Sequence, residues 1–223
     1  MNTMTKLMLP AIATAGLFAA TAQANLQITE AWTGLSGEDG TGDWIEITNF
    51  GAGPIDTGIY YYDDDSASVA SGGQLDSFIL APGESAIFLI DGPADGVTYA
   101  TAIEEFLAIW GPVANVGLTN GGGGLGQGGD VINLLDAANN VIDSLAYASS
   151  GDLATFDDSD GDGIAPLSVL GVNGAYASAT FFNDNLNLPN DQATLIGSPG
   201  VVPEPASLLL AGLGGLVLMN RRG

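Results

Sequence analysis

Cysteine and histidine are both absent from this 223-residue chain, and only Lys6, Arg221 and Arg222 are basic. Each absence excludes chemistry. Without cysteine no disulfide framework can form, so stability must come from a core and, where one binds, a metal ion. Without histidine or cysteine there is no Ser-His-Asp or Cys-His nucleophile system and no ordinary zinc site. Residues 25–201 contain no lysine, which removes Schiff-base chemistry from that stretch. No Walker-type loop is present. The glycine run Gly121 to Gly124 precedes neither a lysine nor a helical pattern and reads as a flexible loop.

What the chain has in excess is carboxylate. Asp and Glu total 26 and the formal net charge is −23. The basic side chains sit at the two extremes, and only Glu204 of the acids lies beyond residue 201. The stretch between therefore carries a formal charge of about −25, which repels nucleic acid and anionic membrane surfaces. None of its carboxylates can find a side-chain salt bridge there. Each must be solvated, bonded to backbone N–H or hydroxyl groups, or bridged by a bound cation.

The two ends carry apolar signals of opposite polarity. Lys6 precedes the run Leu7 to Ala20, and Ala22-Gln23-Ala24 supplies a small-x-small site. That order predicts a secretory signal over 1–24, cut by signal peptidase between Ala24 and Asn25. At the other end Ala206 to Met219 is uncharged and apolar, followed by Arg221-Arg222. A helix of about 14 residues spans roughly 21 Å, short of a hydrocarbon core of about 30 Å, so crossing needs flanking residues or local thinning. The arginines fit a cytoplasmic stop, which leaves the passenger outside the cytoplasm. Val202-Pro203-Glu204-Pro205, the apolar run and Arg221-Arg222 together resemble the PEP-CTERM sorting signal. The resemblance implies recognition by an exosortase and a transient membrane anchor within 201–223. It further implies delivery of the passenger to the cell surface or extracellular polysaccharide matrix.

Between the signals, residues 25–200 are one domain's worth of chain. Leu26 to Thr29 and Trp44 to Thr48 alternate, with Ile45 and Ile47 inward and Glu46 on the opposite, solvent-facing side. Further strands are expected over Ile55 to Tyr62, Phe78 to Leu80 and Ala86 to Ile90, the last apolar on both faces. Val131 to Leu135 and Val141 to Tyr147 bracket a hairpin connection at Asp136 to Asn140. Ala175 to Phe182 and Ala193 to Ile196 complete the set. Many short strands between Gly, Asp and Pro turns predict an all-β sandwich. One helix interrupts it. Thr101 and Glu104 have capping-box spacing, Ile103, Phe106, Leu107 and Trp110 fall on one face, and Gly111-Pro112 stops it. Such a helix would cover one end of the sandwich.

The ordered landmarks LQITEAW, GDWIEITNFGAGPIDTG, LAPGESAIFLI, VGLTN, GGDVINLLDAANNVIDSLAY and the closing GSPG resemble the lamin-tail domain. That resemblance implies an immunoglobulin-like β-sandwich. Gly121 to Gln127 departs from it as an inserted glycine loop, and an acidic cluster follows Tyr147. Bacterial relatives often carry nuclease or phosphatase domains beside this one, and no such domain is evident here.

Three acidic groups are candidate sites. Asp158, Asp160 and Asp162 occupy alternate positions of a D-x-D-x-D-G loop closed by Gly163. Carboxylates so spaced converge on a hard cation when the chain curls, and calcium is the one candidate cofactor. Val169 stands where an EF-hand needs its twelfth-position Glu, so only a looser loop is compatible. Asp63-Asp64-Asp65 reads as a soluble strand end. Glu30, Glu46, Glu104 and Glu105 are the carboxylates a glycosidase could use, though no spacing brings two of them together. The expectation is a non-catalytic surface or matrix protein, scaffolding or adhesive, with extracellular polysaccharide or surface proteins as partners. Its membrane contact would be through the tail alone. A calcium-dependent carbohydrate- or protein-binding module is the alternative.

Overall fold

A computed structural model describes residues 26–34, 42–90, 92, 99–149, 153–159, 163–172, 177–182 and 192–201. The predicted signal segment, the sorting tail, Asp160 and Asp162 lie outside the described residues. The strands are β1 (Leu26–Trp32), β2 (Trp44–Asn49), β3 (Ile55–Asp56), β4 (Tyr60–Asp63), β5 (Gly73–Leu75), β6 (Ile79–Leu80) and β7 (Ser85–Leu89). After the helix α1 (Ala102–Trp110) come β8 (Val116–Asn120), β9 (Asp130–Asp136), β10 (Val141–Tyr147), β11 (Phe156–Asp157), β12 (Ala177–Phe182) and β13 (Gln192–Gly197).

Nine strands form one sheet in the order β10-β9-β4-β5-β8-β7-β2-β1-β11, with β12–β13 and β3–β6 as separate pairs. Within it β7 and β8 run parallel. The sheet folds over on itself, because the Ile28 N–H on β1 donates to Asp143 Oδ2 on β10 at 2.7 Å. Ile28, Ile45, Ile47 and Phe88 from one half then meet Tyr62, Ile132, Leu134 and Leu145 from the other in one buried core. The result is the β-rich, sandwich- or barrel-like architecture with one short helix that the alternation pattern predicts.

Strand alternation sends the next residues to the other face. Trp32, Trp44, Ile87 and Leu89 form a second core with Ala102 and Phe106 of α1 and Leu195 of β13. Phe106 and Trp110 both meet the Trp44 ring edge-on, at 5.6 Å and interplanar angles of 88° and 84°. Such pairs add about 0.5–1.5 kcal/mol each beyond burial. The helix therefore covers a sheet face rather than one end of the sandwich.

The helix start obeys its capping chemistry. Thr101 Oγ1 accepts from the Glu104 N–H at 3.2 Å, and Glu104 reaches back to the Ala100 N–H at 3.0 Å. Gly111 ends it at φ 85°. Leu107, expected in the apolar stripe, lies at its rim and is 37% exposed. The glycine loop is not loose. Tyr62 Oη donates to the Gly123 carbonyl at 2.8 Å, and the Leu125 N–H donates to Asp43 Oδ2 at 2.7 Å. Gly122, at φ 93°, lies against the Tyr62 ring, where a Cβ would come within 2.8 Å. Glycine is there for close approach.

A buried acidic row beneath the last turn

The site begins with a defect in strand pairing. β1 and β2 pair Ile28 with Ile47 and then Glu30 with Glu46, so Thr29 is an extra residue in a β-bulge. Residues directly opposite on paired strands share a face. Glu30 and Glu46 therefore stand side by side on the face that also carries Trp32 and Trp44. On its other flank Glu30 pairs with Asp157 of β11. Glu46, Glu30 and Asp157 make a row across three adjacent strands, and all three are buried, at 1%, 2% and 4% exposure. The solvent-facing position expected for Glu46 is thus overturned. The face opposite Ile45 and Ile47 is covered by a second layer, which strand alternation alone does not reveal.

The row lies among hydroxyls and backbone amides. Glu46 Oε1 accepts from Thr29 Oγ1 at 2.8 Å, and Thr29 Oγ1 lies 2.9 Å from Thr48 Oγ1. Its Oε2 accepts from the Gly200 N–H at 2.5 Å. Glu30 Oε1 accepts from Thr155 Oγ1 at 2.5 Å and from the Ser198 N–H at 2.8 Å. Thr155 Oγ1 is in turn 2.7 Å from Ser168 Oγ. The strap Ser198–Gly200, following β13, is thereby bonded to both glutamates. Gly197, the residue before it, passes so close that a Cβ would lie 2.8 Å from Glu30 Oε1 and from Thr155 Cγ2.

Burial costs an ionised carboxylate its hydration, and among the described residues there is no basic side chain to offset it. Desolvation first, and then the charge of Glu46, push Glu30 up to about 8 from its ordinary 4.5, against the hydrogen bonds from Thr155 and Ser198. Desolvation likewise pushes Glu46 up to about 7, opposed by the bonds from Gly200 and Thr29 and reinforced by Asp157. Both groups hold a proton far more readily than exposed glutamates.

The other acidic candidates separate. Glu104 caps α1. Glu105 is buried beside Gly42, Leu89 and Phe106. Asp63 ends β4 but is buried, its Oδ2 accepting from Ser66 Oγ at 2.5 Å and the Ser68 N–H at 2.7 Å. It closes a turn rather than solubilising an edge. Asp158 lies next to the row, its N–H donating to the Thr29 carbonyl at 2.9 Å. Its two carboxylate oxygens accept from the Gly163 N–H at 3.1 and 3.2 Å, with Gly163 at φ 79°. The loop therefore curls back on its first residue. Among the described residues no group of three or more acidic side chains is arranged to hold a metal ion.

Sequence reasoning missed Thr155, Ser168, Ser198 and Gly200 as partners of the row. The signal that could have found them was the missing basic residues, which leave hydroxyls and N–H groups as partners for any buried acid. Ala22, Ala24 and Asn25 of the predicted cleavage site lie outside the described residues. So do Val202, Pro203, Glu204, Pro205, Arg221 and Arg222 of the sorting pattern. Among the described residues no helix is long and apolar enough to cross a membrane.

The Lamin Tail Domain family model matches residues 19–149, and the PEP-CTERM protein-sorting motif matches residues 201–222. No curated protein and no solved structure matches the chain. The cover over the acidic row (Thr155, Ser168 and the strap) comes from residues beyond the domain match, yet β11 extends the same sheet. More than half of the sequence lies under the first model, and its strands build the expected sheet, so the chain belongs to the Lamin Tail Domain family and carries a PEP-CTERM sorting motif.

Proposed function

We propose that this protein is an exported, non-catalytic module, sorted by an exosortase and used as a scaffold or adhesive at the cell surface or in the extracellular matrix. The observation that carries the reading is the junction. The sorting-motif match begins at Val201, one residue after Gly200 is bonded to Glu46. A folded passenger is followed at once by its address. In support, the four glutamates weighed for hydrolysis are a cap, a buried helix residue and a covered pair. Signal peptidase would release Asn25, and Ala206 to Met219 would hold the passenger at the membrane until processing. Fractionation of cells expressing Pro203→Ala/Glu204→Ala tests this. The variant should stay with the membrane while the parent reaches the surface or medium, and equal delivery of both would contradict sorting through this motif.

A calcium-dependent carbohydrate- or protein-binding module is the second reading. The return of the Gly163 N–H to the Asp158 carboxylate favours it, because a D-x-D-x-D-G calcium loop needs a chain that turns back over that span.

A further inference from the structure

We propose that Glu30 and Glu46 are positioning residues for sorting: they fasten the Ser198–Gly200 strap to the sheet and so fix how far the Pro203-Glu204-Pro205 motif can reach from the folded domain. This rests on the sorting reading. With Gly200 bonded to Glu46 and Ser198 to Glu30, two residues, Val201 and Val202, lie between the last amide bonded to the glutamates and Pro203, a distance of three residue steps. That is about 10 Å of extended chain, and freeing the strap back to Gly197 roughly doubles it. A membrane enzyme working on a motif held so close must approach against the body of the domain. The fastened strap slows processing, and release of the strap speeds it.

The fastening is built to respond to protons. The charges acting on Glu30 are Glu46 and Asp157, and Asp157 also acts on Glu46. The neighbouring elements add no cation. β7 pairs Ile87 with Glu46, the strap presents backbone N–H groups, and α1 gives the adjoining core Ala102 and Phe106. When both glutamates ionise, burial and mutual repulsion act together, and lifting the strap relieves both by admitting water. The neutral acids carry neither cost and still accept from Ser198 and Gly200 through a carbonyl oxygen. Thr29, backed by Thr48, holds the Glu46 carboxyl group from the sheet, and Thr155, backed by Ser168, holds that of Glu30 from the cover.

Amide hydrogen exchange on the full chain reads the strap directly, as protection factors corrected for the intrinsic pH dependence. Between pH 5 and pH 9 the protection of Ser198 and Gly200 should fall at least tenfold, while that of Ile87 on β7 holds. In Glu30→Gln/Glu46→Gln, which keeps the shape and leaves each side chain one carbonyl oxygen to accept from the strap, strap protection should not change with pH. In Glu46→Ala the Gly200 amide should lose protection at both pH values. If Glu46→Ala does not fold, the Gln pair still decides. Pulse-chase in the native host supplies the second readout, with tail removal from Glu46→Ala several-fold faster than from the parent and the Gln pair no faster. Protection indifferent to pH and substitution overturns the fastening. An opened strap with unchanged processing overturns the positioning role. A parent chain that keeps its tail sinks the sorting reading and the positioning role with it, while the exchange arm still judges the fastening.

Discussion

Glu30 and Glu46 stand directly opposite each other on β1 and β2, both buried, and no basic side chain occurs among the described residues to face them. A bulge at Thr29 creates that pairing, and a strap of backbone N–H groups closes over it. In a passenger with no cations, hydroxyls and main-chain dipoles take the role that arginine or lysine would otherwise have.

The first prediction is the direction of the pH dependence. The folded-state values of Glu30 and Glu46 are raised above their ordinary 4.5, so the native state binds more protons than the unfolded chain in that window. Their contribution is fully present below about pH 4.5 and is lost as pH rises through about 7 and about 8. Asp56 and Asp136 act oppositely. Ser77 and Asn140 hold them below their ordinary 3.8, so protonating them at still lower pH removes stability. Urea unfolding across pH should show a maximum on the mildly acidic side. Glu30→Gln should flatten its alkaline limb, and an unchanged limb in that variant would contradict the assignment.

Gly197→Ala tests the close passage over the row. Its Cβ would meet Glu30 Oε1 at 2.8 Å and Thr155 Oγ1 at 3.0 Å. The clash should cost about 1–3 kcal/mol, as overpacking in a dense interior does. Equal denaturation midpoints for the variant and the parent would show that the strap gives way freely.

Trp44→Ala tests the second core. The ring is fully buried and meets Phe106 and Trp110 edge-on. Truncation should cost about 3–5 kcal/mol. Thermal unfolding should show a melting temperature lower by roughly 2–4 °C for each kcal/mol lost in a domain of this size. A loss under about 1 kcal/mol would mean that α1 is not a structural layer.

Calcium is tested against magnesium at equal ionic strength, because screening alone relieves repulsion among so many carboxylates. A site of about 0.1 mM affinity in about 1 mM calcium adds roughly 1.4 kcal/mol by linkage. Magnesium should add less, since it demands a tighter octahedron. Asp160→Asn/Asp162→Asn should abolish the difference and leaves Asp158 to close the loop on Gly163. Equal stabilisation by both ions would leave the loop an acidic turn.

Much of the architecture was legible because period-two alternation survives in single strands. Ile45 and Ile47 point inward as read, and the capping pair Thr101 and Glu104 marks the helix start. Gly83, at φ 82°, sits in the turn between β6 and β7. β5 and β11 escaped because three and two residues carry no period, and β8 is interrupted by Gly117. The acidic row escaped for a different reason. A polar residue on an alternating strand reads as exposed unless something covers it, and here the cover comes from residues more than 100 positions later in the chain. The bulge that aligns Glu30 with Glu46 has no local signal either. Thr29 is an ordinary strand residue, and only the pairing reveals that it is extra.

The measurement closest to the central claim is intact-mass spectrometry of the protein recovered outside the cell. The account predicts a chain that begins at Asn25 and ends near Pro203-Glu204-Pro205, with Ala206 to Gly223 removed. A secreted chain that retains Ala206 to Gly223 would contradict it.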